Sequence, residues 1–373
     1  MNFSELKVYL DALVEQGVPS VDCKVCKDGQ EVFRHMTGYS DAARQQPMRG
    51  DELYWIYSAS KVLTCAGALR LVERGLLGLD DPVSRYLPEY AKLRVIAPDG
   101  GTSEAKNVLT VRHLFTMSGG FSYDLEAGAL MRQLATGKSD TRSMIAALSE
   151  EPLHFEPGTH FLYSLCHDVL ATVVQVVAGK RFGAYMRENI FDPLGMVDTH
   201  YNLPADRENR LAAQYRHTEE GKFEFAGSGN KFHWPDYESG GAGLLSSVDD
   251  YMKFAAAMAG RGKAADGYQV LQADTIDLMR TQQLFGQQHE DFGQFSRPGY
   301  GYGLGVRTLV DKSFGALSPL GEFGWDGAAG AFVVIDVENN VAMVYAQHVL
   351  GHSPVYDVVH PALRNTLYRC LAK

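Results

Sequence analysis

Two β-hairpin patterns stand at opposite ends of the chain, and the sequence between them is mostly helical. Val21 to Val25 and Glu31 to His35 flank Lys27-Asp28-Gly29, where Asp-Gly is a strong two-residue turn signal. Ala331 to Val337 and Val341 to Gln347 are apolar, β-rich runs around Glu338-Asn339-Asn340. Strands this far apart suggest one sheet built from both ends of the chain, with the intervening sequence inserted as a second lobe. The ends also carry helical patterns. Leu6, Leu10, Leu13 and Val14 share one face over residues 3–16, and His360 to Leu371 reads as a closing helix. The fold class is therefore α+β. An antiparallel sheet lobe of residues 1–75 and 290–373, flanked by helices, carries an inserted, mostly helical lobe of residues 76–289.

The inserted part shows helix starts and stops in order. An apolar stretch from Leu53 to Tyr57 meets a helical pattern over Val62 to Leu77. Asp80-Asp81-Pro82-Val83 starts a short helix, with Pro near the first turn. Leu109 to Phe115 leads to the glycine stop Ser118-Gly119-Gly120. Further helices are expected at Ser143 to Leu148, Asp168 to Val177 before Gly179, Phe182 to Ile190, and Val248 to Met258 with Ser247 as cap. Residues 200–240 read as loops with one or two strands. The alternation from Gly299 to Val306 reads as the beginning of a strand.

Charge narrows the function classes. The 373 residues carry a net charge of -10 and no run of Lys or Arg, which argues against nucleic acid and anionic membranes as partners. The longest apolar stretch, Val169 to Ala178, contains Thr172 and Gln175 and is too short to span a bilayer. Met1 to Lys7 includes Glu5 and has no long apolar core, so a cytoplasmic location is expected if Met1 is the natural start. Five cysteines form an odd set, consistent with a reducing compartment. Cys23 and Cys26 make a Cys-x-x-Cys inside a strand pattern, where positions i and i+3 point to opposite faces, so a structural role is expected.

Several chemistries drop out by motif. Gly137-Lys138-Ser139 lacks the upstream glycine of a phosphate loop, since position 132 is Arg132. The glycines of 299–305 never complete Gly-x-Gly-x-x-Gly. His154, Glu156 and His160 flank the turn Pro157-Gly158 and do not form a helical metal motif. Gly351-His352-Ser353-Pro354-Val355 fails the nucleophile-elbow pattern at its last position. No metal or cofactor is implied.

What remains is Ser-x-x-Lys. It occurs at Ser4/Lys7, Ser58/Lys61, Ser103/Lys106 and Ser228/Lys231, and only Ser58 starts a long apolar helix. If Ala59 opens that helix, Ser58 lies at its N-terminal edge with Lys61 one turn on, about 5–6 Å between Cβ atoms. A serine hydroxyl is a poor nucleophile until a neighbour takes its proton. The helix start also offers free N–H groups and positive dipole charge to a developing oxyanion. Downstream, Phe155 to Leu165 is a turn and an extended piece entering the 168–177 helix, with Tyr163 in the loop. Phe323-Gly324-Trp325-Asp326-Gly327-Ala328-Ala329-Gly330 precedes an apolar strand, and its small residues let a backbone approach a ligand closely.

Together these residues resemble the serine β-lactamase and penicillin-binding-protein superfamily, with a closer likeness to class C β-lactamases and family VIII carboxylesterases. The resemblance runs in order through Ser58-Ala59-Ser60-Lys61, Leu109 to Gly120, Phe155-Glu156-Pro157-Gly158, Tyr163-Ser164 and Gly240 to Ser247. It implies a β-lactamase/transpeptidase-like fold with the site between the lobes. Ser58 matches the nucleophile, Lys61 the motif lysine and Tyr163 the motif tyrosine. Trp325-Asp326-Gly327 takes the place of Lys-Thr-Gly. Two departures bear on substrate. Leu165 stands where a β-lactamase-like member carries Asn, and Trp325 where Lys or His supplies a cation.

The expected function is ester hydrolysis in two steps through an acyl-enzyme on Ser58. Lys61 and Tyr163 take the proton, and the backbone N–H groups of Ser58 and Ala328 hold the oxyanion. Trp325, Gly327 and Leu165 are expected beside the substrate, a small neutral short-chain ester or amide. A free lysine has a pKa of about 10.4, so a neutral Lys61 requires burial or nearby positive charge. β-Lactamase, D-amino-acid peptidase and acyltransferase activity on the same scaffold are the rivals, with a β-lactam-binding protein that never turns over. The sequence leaves the oligomeric state open.

Overall fold

The computed structural model describes residues 1–230, 234 and 236–373. The lysine of the fourth Ser-x-x-Lys match, Lys231, lies outside the described residues.

The expected hairpins form, and their turns follow from their residues. Strand β1 (Ser20–Lys27) pairs with β2 (Gln30–Asp41) through a two-residue loop in which Asp28 and Gly29 both take positive φ, 52° and 74°. A short β3 (Gln46–Pro47) continues past β2. From the far end of the chain come β4 (Tyr300–Tyr302), β5 (Arg307–Leu309), β6 (Phe323–Gly324), β7 (Phe332–Asp336) and β8 (Val341–Ala346). All eight join one antiparallel sheet in the order β4-β5-β6-β7-β8-β1-β2-β3. The two ends of the chain meet at its centre, where Asp22 pairs with Ala346 and Lys27 with Val341.

Both faces of the sheet are covered, as the near-continuous apolar runs of β7 and β8 require. On one face Val21, Cys23, Phe332, Val334, Met343 and Tyr345 pack against helix α1 (Ser4–Glu15), through Leu6, Leu10 and Leu13, and against the C-terminal helix His360–Leu371, through Leu363 and Leu367. On the other face Cys26, Val333, Ile335, Ala342 and Val344 join the larger core. That core also holds α2 (Ser60–Glu73), α3 (Cys166–Ala178) and α4 (Val248–Ala259). Cys23 and Cys26 thus lie in different cores, and both are buried thiols. The Ser247 side chain accepts from Asp250 N–H and caps α4, and Gly179 ends α3 in the left-handed conformation.

Four local readings change. The glycine alternation of 299–306 forms a hairpin, with Tyr300–Tyr302 returning as Arg307–Leu309 through Gly305 at φ 82°. Val83–Arg85 is a single 3-10 turn. The 182–190 pattern splits into Phe182–Met186 and a π-turn, Arg187–Phe191. Helices Gly128–Ala135, Ala273–Arg280 and α5 (Gln287–Phe295) add to those expected, and the lobe boundary placed at 290 falls inside α5. Among the described residues no helix is long and apolar enough to cross a membrane.

Phe332 is fully buried, stacks on His360 at 4.3 Å between ring centroids and lies under the Arg307 guanidinium. Phe332→Ala is expected to lower the unfolding free energy by about 3–5 kcal/mol, read from urea denaturation.

Candidate active site

The short strand Tyr54–Trp55, paired with Leu245–Ser246, delivers the chain into a 3-10 turn, Tyr57–Ala59, and then into α2. The helix therefore begins at Ser60, one residue later than expected, and Ser58 sits in the turn ahead of it. Tyr57 takes φ 45°, a conformation that costs a non-glycine residue about 1–3 kcal/mol. The surroundings enforce it. Tyr57 is buried and its hydroxyl donates to Gln214 Oε1 at 2.6 Å. Tyr251 donates to the Ala59 carbonyl at 2.8 Å, and Leu244 N–H donates to Ser60 Oγ at 3.1 Å. Thr64 Oγ1 donates to the Gly240 carbonyl at 2.7 Å. The glycine-rich segment before α4 is thereby clamped along α2.

Lys61 is fully buried. Its Nζ donates to the Gly241 carbonyl at 2.7 Å, to the Tyr123 hydroxyl at 3.0 Å and to Ser58 Oγ at 3.2 Å. It also lies 4.6 Å from the centroid of the Tyr163 ring. Burial pushes the amine down to about 7, against the opposing pull of Asp168. Burial raises both Tyr163 and Tyr123, and the neighbouring Ser58 pulls each of them part of the way back. Ser58 is thus met by an amine and two phenols.

Tyr163 is held by rings. Phe295 stacks on it at 4.8 Å and Trp325 at 5.6 Å. The Trp325 indole N–H donates to the Tyr163 hydroxyl at 3.1 Å. Trp325 is buried, and its one donor is already used. Gly327 N–H donates to the Ala331 carbonyl at 2.8 Å, and a Cβ at this glycine would lie 2.3 Å from the Ile56 carbonyl oxygen. Only glycine lets this segment lie so close to the Ser58 turn. Ala328, next along, faces Ser58 across the cleft. Among the described residues no carbonyl accepts from the backbone N–H of Ser58 or Ala328.

Leu165 is placed differently from expectation. It precedes α3, is 2% exposed, packs in the core and lines neither cavity at Ser58. Tyr123 is a site residue the sequence did not reveal. It follows the glycine stop at Gly120, but no spacing ties it to Lys61.

Two cavities meet at Ser58, Tyr163, Phe295 and Ala328. The larger, about 890 Å³, is walled by Leu125, Phe155, Phe161 and Leu162, with His154, His160 and Asp291 among its polar residues. The smaller, about 550 Å³, is bounded by Trp325, Gly327, Tyr356, Arg297 and Asp326. Burial alone would raise the Asp326 carboxyl, but Arg297 and Arg307 hold it well below the usual range. His160 pairs with Asp291 at 2.9 Å, and among the described residues no group of three or more His, Cys, Asp or Glu could hold a metal.

The sequence pattern of the Beta-lactamase family matches residues 6–364. The chain belongs to the beta-lactamase family. Protein Rv1367c of Mycobacterium tuberculosis is 32% identical over 336 residues, covering 86% of this chain and 82% of that protein. Esterase EstB of Burkholderia gladioli is 30% identical over 357 residues, covering 88% and 86%. The solved structure of EstCE1, described as a hydrolase with promiscuous acyltransferase activity, superposes with a TM-score of 0.81 at 23% identity, covering 98% of this chain and 97% of that one. The fold is thus the β-lactamase and penicillin-binding-protein fold. Members of this family are typically serine hydrolases or acyltransferases.

Gly327→Ala places a methyl group against the Ile56 carbonyl. It is expected to destabilise the protein by about 1–3 kcal/mol, read as a lower Tm.

Proposed function

We propose that this protein is a serine esterase acting through an acyl-enzyme on Ser58. The observation that carries the reading is the Lys61 amine, buried, lowered to about 7 and in hydrogen-bond contact with Ser58 Oγ. Such an amine is half unprotonated near neutral pH and accepts a proton that a free lysine would not. In the forward step Lys61 takes the Ser58 proton while Oγ attacks the ester carbonyl carbon. The carbonyl oxygen gathers negative charge between the N–H groups of Ser58 and Ala328. The alcohol leaves with a proton supplied through Tyr163, and the acyl group stays on Oγ. Water then attacks the acyl carbon, its proton passes back to the same base, and the acid departs as Oγ is reprotonated.

Substrate class follows from the walls. Apolar and aromatic side chains dominate the larger cavity. In the smaller one the arginines are already engaged by Asp326, and Trp325 stands where a cation would pair with a carboxylate. A short-chain neutral ester fits this better than a carboxylate-bearing β-lactam. The likeness to EstB supports the same reading. Transfer of the acyl group to an alcohol is the second reading, favoured by two cavities that meet at Ser58, one for the acyl group and one for an acceptor.

The deciding assay compares p-nitrophenyl acetate and butyrate with a chromogenic cephalosporin. Higher kcat/KM on the esters is expected, and preference for the cephalosporin overturns the esterase reading. Ser58→Ala is expected to lose kcat by about 10⁶-fold, as removal of the nucleophile does in a reference serine hydrolase; retention of a few per cent of activity overturns the assignment.

The pH profile has a defined sign. The neutral amine is the active form, so kcat/KM on p-nitrophenyl acetate is expected to rise through about pH 7 and level off above it.

A further inference from the structure

Asp168 is a fully buried carboxylate on α3, in the turn that follows Tyr163. Its Oδ1 accepts from Ser239 Oγ at 2.6 Å and from the Tyr237 hydroxyl at 2.9 Å. Its Oδ2 has no side-chain partner among the described residues, and the Gly241 backbone N–H beside it favours its charged form. That oxygen faces Gly241. A methyl group on Gly241 would sit 2.6 Å from Asp168 Oδ2, 3.1 Å from the Tyr123 hydroxyl and 3.3 Å from Lys61 Nζ. The space over one glycine is therefore shared by a carboxylate, a phenol and the amine at Ser58.

We propose that Asp168 is a positioning residue for the Ser58 reaction, setting its carboxylate across Gly241 from Lys61 and fixing the carbonyl to which Lys61 is anchored. The inference rests on the esterase reading of Ser58 and Lys61. The anchoring runs through Ser239. Its hydroxyl donates to Asp168 and accepts from Ala242 N–H at 3.0 Å, and its carbonyl accepts from Gly243 N–H at 3.0 Å. This turn presents the Gly241 carbonyl to Lys61 Nζ.

The electrostatic part depends on what else faces the amine. From α2 comes Cys65, and from α3 Cys166 and His167. From the loops come Tyr123, Tyr163 and Ser58. Burial raises both thiols and both phenols, so they stay neutral at neutral pH. Burial lowers His167 to about 3, so it is neutral as well. Asp168 differs from these groups. Burial raises it, but Ser239, Lys61 and Tyr237 stabilise its charged form. An opposite charge within about 4–6 Å shifts a pKa by about 1–3 units. Asp168 thus opposes the desolvation that lowers Lys61.

The test is the pH dependence of kcat/KM for p-nitrophenyl acetate in Asp168→Asn. Removing the charge is expected to move the acid limb down by about one unit or more, which raises the ratio of activity at pH 6 to that at pH 8 about fivefold over the wild type for a one-unit shift. A folded Asp168→Asn protein with the wild-type acid limb overturns the proposal. Tyr237→Phe removes a donor from the carboxylate and serves where Asp168→Asn does not fold. It makes Asp168 harder to ionise, so its acid limb is expected to move in the same direction by a smaller amount, and an unchanged limb overturns the proposal. Ser58→Ala separates the two levels. Activity surviving in Ser58→Ala defeats the esterase reading itself, whereas an inactive Ser58→Ala beside an unmoved limb in Asp168→Asn defeats this inference alone.

Discussion

A lysine amine shut away from solvent is costly to keep charged, and Lys61 is fully buried. Much of the surrounding structure answers to that cost. Three oxygens accept from the amine, two aromatic rings lie against it, and Asp168 stands behind Gly241. These groups come from different stretches of chain. Satisfying one side chain therefore draws together α2, the loop after Gly120, the approach to α3 and the glycine-rich segment before α4.

The same economy of space governs the turn at Ser58. Tyr57 keeps a left-handed backbone because its own hydroxyl is tied to Gln214 and the Ala59 carbonyl to Tyr251. Across the cleft Gly327 brings the backbone against Ile56, and the N–H groups of Ser58 and Ala328 are left without carbonyl partners among the described residues. The turn before α2 and the segment between β6 and β7 supply one each, so the spacing between them is set by the packing of the sheet on the helices.

Much of this was readable from residues. Asp28-Gly29 and Asn340 mark both hairpins through turn chemistry, and Ser58 and Lys61 are neighbours by helical spacing alone. Tyr163 entered through resemblance, since a loop tyrosine has no period. Tyr123 carries no signal because its partner lies far off in sequence. Leu165 was expected at the substrate, but its side chain turns into the core where α3 begins. The helix at 287–295 is rich in Gln and acidic residues, with only Phe292 and Phe295 to mark an apolar face. Gly299 to Val306 alternates like a strand, yet Gly305 reverses it, and a glycine's sign of φ is not written in its neighbours.

The pairing of Asp22 with Ala346 bears on synthesis. On the ribosome β1 and β2 emerge early and then wait, since the strand that neighbours β1 lies far downstream. Until β8 arrives, one edge of the β1–β2 hairpin stays open and α1 has no completed sheet to cover. Contacts of such long range form slowly and leave unpaired strand edges exposed in the meantime. Ala328 comes from that late segment, so the cleft gains this wall only after it has been made.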